Sequence, residues 1–105
     1  MAGYKKYKVI VSEKAQRMLG NHIRFLANVD RHAAVELKKK IMTALRSLEE
    51  FPERYPFFQV EYIPSNKYHK MVTDKRYMAL YQIKDDTVYV DYILDCREDY
   101  EWLIH

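Results

Sequence analysis

The residues best suited to chemistry lie around one predicted strand in the second half of the chain. His69 lies inside this strand, and because imidazole titrates near neutral pH it can serve as a general base. Lys67, Lys70, Lys75 and Arg76 surround it, and we predict that this basic cluster contacts a nucleic acid, through its phosphate groups, or another target. Both features also have structural interpretations: a hydrogen-bonded strand histidine, and lysines that protect a sheet edge from aggregation. The sequence leaves both open.

Metal and nucleotide chemistry find no support in the sequence. Asp91 and Asp95 share one face of a predicted strand, but four steps along a strand separate them by about 13 Å, too far to share one metal ion. The only glycines are Gly3 and Gly20, so no Gly-rich phosphate-binding loop is present. The single cysteine, Cys96, cannot form an internal disulfide, which fits a reducing compartment. We therefore predict no metal site and no cofactor.

Length and composition favour one folded domain over residues 1–105. Hydrophobic residues make up 49% of the chain and charged residues 31%, enough apolar material for a core. We find no signal sequence and no apolar run near the ~18 residues of a membrane helix, so we expect a cytoplasmic protein. Residues 1–84 hold 17 Lys and Arg against 8 Asp and Glu, and residues 85–105 hold 1 against 7. The basic part can attract a polyanion or an acidic partner.

The first half of the chain predicts a strand followed by two helices. Residues 4–11 alternate as a strand, and Ser12 is placed as the N-cap of a helix over residues 13–28. Asp30 caps a second helix over residues 32–50, and the short link between them favours an antiparallel pair. The following connection is rich in proline and aromatic residues. We expect its aromatics to plug one end of the core, namely Phe51, Tyr55, Phe57 and Phe58.

The second half predicts a meander of three antiparallel strands. A strand at residues 68–73 precedes a hairpin over residues 76–95, with its turn at Asp85 and Asp86. The predicted core-facing pairs are Ile83 with Val88, Tyr81 with Val90, Ala79 with Tyr92, and Tyr77 with Leu94. The pairs predicted on the other face are Lys84 with Thr87, Gln82 with Tyr89, Leu80 with Asp91, Met78 with Ile93, and Arg76 with Asp95. That second face is mixed, so we expect it to be covered or to bind a partner.

These elements predict a two-layer α+β fold. A strand that leads into a helical pair and then into a meander places both helices against one face of a single sheet. The expected architecture is an antiparallel sheet packed against an N-terminal helical hairpin, followed by a short C-terminal helix or tail over residues 97–105. Trp102 of this tail is a candidate to cover exposed apolar residues of the sheet.

Four segments carry a resemblance to a known family. They are the opening YKVIVSEKA, the helix ending LRSLEEFPER, the hairpin RYMALYQIKDDTVYVDYIL and the closing CREDYEWL. In this order the chain resembles the RelE/ParE superfamily of type II toxin-antitoxin toxins, also called plasmid stabilisation proteins. The resemblance implies a growth-inhibiting toxin that a cognate antitoxin neutralises. It also implies that the toxin forms either a homodimer or a hetero-oligomer with the antitoxin. Its target would be DNA gyrase in the ParE-like branch, or messenger RNA on the ribosome in the RelE-like branch.

The positions that the RelE-like branch uses for catalysis are depleted in this chain. The resemblance places them at His69, Met71 and Met78, and after the last strand at Arg97 and Tyr100. Methionine cannot stabilise the negative charge of an RNA-cleavage transition state, so we favour a ParE-like inhibitor. In that case the helical hairpin, including Lys38, Lys39 and Lys40, and the C-terminal segment would engage protein partners.

Two alternatives stay open. If the alignment to the family pattern is shifted by two residues, Arg76 takes the position of the catalytic cation. This keeps a RelE-like, metal-independent endoribonuclease as the first alternative. The second is a degenerate, non-toxic relative that persists as a binding module.

Overall fold

The computed structural model of the protein describes residues 6–61 and 63–96. The strands and helices are β1 (Lys8–Val11), α1 (Glu13–Ala27), α2 (Arg31–Arg46), β2 (His69–Thr73), β3 (Tyr77–Lys84) and β4 (Thr87–Asp95). Two short 3-10 turns, Ser47–Glu49 and Pro52–Arg54, follow α2. The predicted C-terminal helix or tail lies outside the described residues.

The four strands form one sheet in the order β1-β4-β3-β2. Strands β2, β3 and β4 are antiparallel, as predicted from the meander. Strand β1 runs parallel to β4, so the sheet is mixed and not purely antiparallel. The two helices pack on one face, called here the inner face, and this confirms the predicted two-layer α+β arrangement.

Both helices begin at the side-chain caps that the sequence predicts. The Ser12 hydroxyl accepts a 3.0 Å hydrogen bond from the Ala15 N–H, and the Asp30 carboxylate accepts one of 3.0 Å from the Ala33 N–H. Helix α2 ends at Arg46, four residues before the predicted end. The 3-10 turn Ser47–Glu49 follows directly, and at its end the Glu49 carbonyl accepts a 2.8 Å hydrogen bond from the Tyr7 N–H, just before β1.

A β-bulge at Asp91 changes the predicted register of the hairpin. From the turn to the bulge the predicted pairs are confirmed, namely Lys84 with Thr87, Ile83 with Val88, Gln82 with Tyr89 and Tyr81 with Val90. Beyond it every predicted pair is wrong by one residue, because the bulge inserts one extra residue into β4. The observed pairs are Leu80 with Tyr92, Ala79 with Ile93, Met78 with Leu94 and Tyr77 with Asp95. Ile93 therefore joins the inner core, and Tyr92 and Leu94 turn to the outer face.

The outer face of the sheet carries a second apolar cluster, which the connection between α2 and β2 covers. Phe58, Ile63 and Tyr68 from this segment pack with Met78 and Leu80 of β3. Among the predicted plug residues, Phe58 is buried and Tyr55 packs on the inner core, whereas Phe51 and Phe57 are exposed. Burial on both faces explains why β3 reads as a nearly continuous apolar run.

Two stretches of free sheet edge are occupied by other parts of the chain. Beyond the end of β1, α1 lies along β4, where the Ser12 N–H donates to the Val90 carbonyl and His22 Nε2 lies 2.9 Å from the Ile93 carbonyl oxygen. Residues 56–58 pair with the start of β2 through the Lys70 N–H. On the outer edge of β1, Glu49 and Glu50 pair with residues 6 and 7, and the Val9 N–H has no backbone partner within the described part of the chain.

Candidate protein-docking site

The first element of the candidate site is the outer edge of β1. The N–H groups of Lys8 and Ser12 point to β4, so those of Val9 and Val11 point away from the sheet. The Gln16 side chain donates a 2.9 Å bond to the Val11 carbonyl, which occupies one acceptor of this edge. Within residues 6–61 and 63–96, no backbone group pairs with the Val9 N–H. An unpaired strand edge of this kind can accept a strand from another chain.

The second element is an apolar groove between α1 and α2, directly beside this edge. We call it the helical groove, and its volume is about 660 Å³. It is lined by Val11, Gln16, Leu19, Gly20, Ile23, Arg24, Lys38, Met42 and Leu45. Met42 is 41% exposed, which is unusual for a large apolar side chain and leaves it available to a partner. A groove of this kind fits the apolar face of an amphipathic helix.

Basic side chains stand at the rim of the helical groove. Arg24 and Lys38 line it, from α1 and α2 respectively. Of the neighbouring lysines on α2, Lys39 lies 3.7 Å from Glu36 and Lys40 lies 3.3 Å from Asp74. Lys38, Lys39 and Lys40 are all exposed. An apolar floor with a basic rim favours a partner that is both amphipathic and acidic.

The structure places His69 in a packed environment on the inner face of the sheet. Its ring stacks against Tyr81 at 5.3 Å between centroids and contacts Phe57 at 4.2 Å. Its Nδ1 lies 2.8 Å from the Tyr55 carbonyl oxygen, a bond in which Nδ1–H must be the donor. Two aromatic rings and one backbone carbonyl therefore hold the His69 ring in place.

The four predicted contact residues divide into two groups. Lys67 lies 5.5 Å from the ring of Tyr68, and Lys70 shares the outer face with Leu80, opposite to the face of His69. Lys75 and Arg76 belong to the turn between β2 and β3, at the far end of β2. The length of β2 therefore separates Arg76 from His69 by roughly 13 Å.

Two further positions of the ribonuclease pattern, at Met71 and Met78, carry no group that could act in catalysis. Met71 is 2% exposed in the inner core, and Met78 is 4% exposed in the outer cluster. Arg97 and Tyr100 lie outside the described residues. In the described part of the chain, no three His, Cys, Asp or Glu side chains are grouped so that they could hold a metal ion.

The bulge residue Asp91 organises a polar cluster on the outer face. Its carboxylate accepts hydrogen bonds of 3.0 Å from the Tyr68 hydroxyl and from the Gln82 amide. Burial and the adjacent Asp91 carboxylate raise the pKa of the Tyr68 phenol well above its ordinary value. Asp91 is thus held by two donors, and its role here is to fix the bulge.

Comparison with known proteins identifies the family. The family model of the ParE toxin of the type II toxin-antitoxin system, parDE, matches residues 9–100. The chain belongs to the ParE toxin family. It is therefore the toxin component of a type II toxin-antitoxin system, with a cognate antitoxin as its partner.

The fold of this ParE-family toxin resembles a solved structure titled "Chromosomal ParDE TA system from P. aeruginosa". The two chains are 12% identical, the match covers 86% of this chain and 96% of that chain, and the TM-score is 0.73. No curated protein matched the sequence. Among the described residues of this ParE-family toxin, no helix has the length and apolar character that crossing a membrane requires.

The sequence predicted only part of this docking site. It indicated the helical hairpin and its lysines as a surface for protein partners, but it did not nominate Val11, Gln16 or Met42. One available signal was Met42, an apolar residue outside the buried stripe of α2 formed by Ala34, Leu37, Ile41 and Leu45. The open edge of β1 carried no such signal, because it depends on the strand order.

Proposed function

We propose that this ParE-family toxin inhibits its target by binding it as a protein and does not cleave RNA. The observation that supports this most strongly is the burial of Met78, with 4% of its surface exposed among apolar neighbours. The ribonuclease branch that the sequence resembles needs a cation there. A cation at this position would be buried without an anionic partner, at a high energetic cost.

The surroundings of His69 support the same proposal. Metal-free RNA cleavage requires a base for the 2′-hydroxyl, cations for the transition state and an acid for the leaving oxygen. The inner-face position of His69 is separated from Lys70 by the sheet and from Arg76 by the length of β2. His69, Lys70 and Arg76 therefore do not converge around one point.

We propose that the target is DNA gyrase. Because the toxin must be in the same compartment as this target, we also propose that it is cytoplasmic. The predicted contact residues Lys67 and Lys70 lie near the covered end of the outer face and offer positive charge to a partner. Purified toxin at micromolar concentration should inhibit DNA supercoiling by gyrase, and pre-incubation with antitoxin should restore it. Undiminished supercoiling at that concentration would count against gyrase as the target.

A matched pair of variants tests the proposed contact residues. Replacing Lys67 and Lys70 with glutamate should weaken the inhibition of supercoiling. Replacing Lys8 and Lys84 with glutamate makes the same change in net charge at two exposed lysines elsewhere on the sheet. This control variant should inhibit supercoiling as strongly as the wild type. Equal losses in both double variants would show a general effect of charge and not a contact at Lys67 and Lys70.

We further propose that the antitoxin binds at the helical groove and the outer edge of β1. The apolar floor accepts one face of a helix, and the Val9 edge can pair with an extended segment that continues from it. Arg24 and Lys38 at the rim favour acidic side chains in that partner. A segment that orders on binding can use both surfaces at once.

A further inference from the structure

A second groove lies at the other side of α2, next to the turn between β2 and β3. We call it the turn groove, and its volume is about 560 Å³. Its lining residues are Leu26, Ala33, Glu36, Leu37, Lys40, Asp74, Lys75, Arg76 and Tyr77. It does not share a lining residue with the helical groove. The proposed antitoxin site therefore leaves it unexplained.

The turn groove has a basic end and an apolar end. At the basic end, Lys40 is matched by Asp74 at 3.3 Å, whereas Lys75 and Arg76 form no ion pair within the described part of the chain. At the other end the lining is mostly apolar, from Leu26, Ala33 and Leu37, and it includes Glu36, which pairs with Lys39 at 3.7 Å. A complementary segment would carry acidic residues toward the turn and apolar residues toward the helices.

The turn itself is held in an unfavourable backbone conformation. Asp74 and Lys75 have φ angles of 54° and 61°, in the left-handed region, and neither is glycine. Backbone strain of this kind is enriched at sites that bind a partner. A glycine at position 75 would relieve the strain but would remove one of the two cations that form no ion pair among the described residues.

The chain's own sequence continues from the rim of this groove. The N–H of Cys96, the last described residue, donates a 2.6 Å hydrogen bond to the Arg76 carbonyl. The nine residues that follow read REDYEWLIH, with Glu98, Asp99 and Glu101 ahead of the apolar Trp102, Leu103 and Ile104. From Arg76 outward the groove presents basic and then apolar residues. The order of the segment, acidic and then apolar, is complementary to this.

The length of this segment also fits. Nine residues span about 13 Å as a helix and at most about 30 Å when extended. The part of α2 that lines the groove, from Ala33 to Lys40, is about 10 Å long. Either conformation of the segment is long enough to reach the apolar end.

We propose that the turn groove is the docking site of the chain's own residues 97–105. The acidic residues complement Lys75 and Arg76, and Trp102 with its apolar neighbours complements Leu26 and Leu37. Docking would cover Lys75 and Arg76, two of the four predicted target contacts, so it would regulate their access to a partner. This proposal does not depend on which target the toxin inhibits.

The fluorescence of Trp102 tests the proposal directly, because it is the only tryptophan in the chain. In the full-length wild type its emission should lie at the shorter wavelengths of a buried indole and resist quenching by acrylamide. Replacing both Lys75 and Arg76 with glutamate should shift the emission to longer wavelength and increase quenching. Adding Glu98→Lys and Asp99→Lys to that variant should reverse both changes.

Controls make each outcome decisive. The double variant Lys8→Glu and Lys84→Glu makes the same change in net charge on the outer face of the sheet, away from the turn groove. It should leave the Trp102 emission unchanged. Circular dichroism and thermal unfolding of every variant should show that the fold is intact. An exposed indole in the wild type, an unchanged emission in the Lys75 and Arg76 variant, or an equal shift in the control would overturn the proposal. A shift that depends on protein concentration would also overturn it, because the groove would then bind a second copy.

Discussion

Met78 and Val72 lie directly opposite each other in the β2-β3 pair, yet Met78 is 4% exposed and Val72 is 51% exposed. The segment between α2 and β2 covers the outer face over β3 and leaves the end of β2 open. Two neighbouring positions on one face of the sheet therefore have opposite environments. The difference gives a matched test of the claim that the sheet has no room for a catalytic cation at Met78.

A lysine at each of these positions should have very different consequences. Met78→Lys places an unpaired charge among apolar side chains and should lower the free energy of unfolding by about 3 to 5 kcal/mol. Val72→Lys keeps its ammonium group in water and should change that free energy by no more than about 0.5 kcal/mol. Urea denaturation measures both. Similar small losses would mean that position 78 can accommodate a charge, which would weaken the non-catalytic assignment.

Tyr81 should make the protein less stable in alkali. Burial raises the pKa of its phenol above the ordinary value of 10.0, and its hydroxyl donates a 2.7 Å bond to the Pro52 carbonyl. Because the unfolded chain loses this proton first as the pH rises above about 10, the unfolded state binds fewer protons and stability falls. The slope for this one proton is at most about 1.4 kcal/mol per pH unit. Below pH 10 its contribution is fully present.

The variant Tyr81→Phe separates the two effects of this phenol. At neutral pH it should lose about 1 to 3 kcal/mol, because a buried carbonyl loses its hydrogen-bond donor. Above pH 10 its stability should fall less steeply than that of the wild type. Denaturation curves across this pH range provide both values, and parallel slopes would show that Tyr81 does not titrate differently in the two states.

Met42 tests the antitoxin site. Met42→Glu places a carboxylate in the apolar helical groove and should weaken antitoxin binding at least about tenfold, equivalent to about 1.4 kcal/mol. Val35→Glu, on the same helix but outside the groove and 52% exposed, should bind normally. Calorimetric titration with the antitoxin distinguishes them. If Met42→Glu bound as tightly as the wild type, the groove would not be the docking site.

Gly20 should show opposite effects on stability and on binding. A methyl group at this position meets no atom within 4 Å, so Gly20→Ala should stabilise α1 by up to about 1 kcal/mol. The same methyl group projects from a residue that lines the helical groove, so antitoxin affinity should decrease. Thermal unfolding and calorimetry on the same samples measure the two quantities. A gain in stability without any loss of affinity would mean that the antitoxin does not approach this part of α1.

Local signals in the sequence predicted most of the fold. Ser12 and Asp30 marked the two helix starts, and the pair at Asp85 and Asp86 marked the hairpin turn, because caps and turns depend on adjacent residues. The bulge at Asp91 was missed, since its carboxylate bonds Tyr68 and Gln82, which are distant in sequence. Half of the predicted register failed for that reason.

The site was less predictable than the fold. His69 was a reasonable candidate from its strand and its near-neutral chemistry, but its stacking partners come from β3 and from the connecting segment. The open edge of β1 follows from its parallel pairing with β4, a long-range contact without a local signal. The prediction that Met71 and Met78 are unsuited to catalysis needed only the chemistry of their side chains, which does not depend on their surroundings.

The most direct test of the account is a cleavage assay with purified ribosomes that carry a defined message in the A site. The account predicts that the message stays intact at toxin concentrations that inhibit gyrase supercoiling. Cleavage of the message by the wild type, abolished in His69→Ala or Arg97→Ala variants that remain folded, would contradict it.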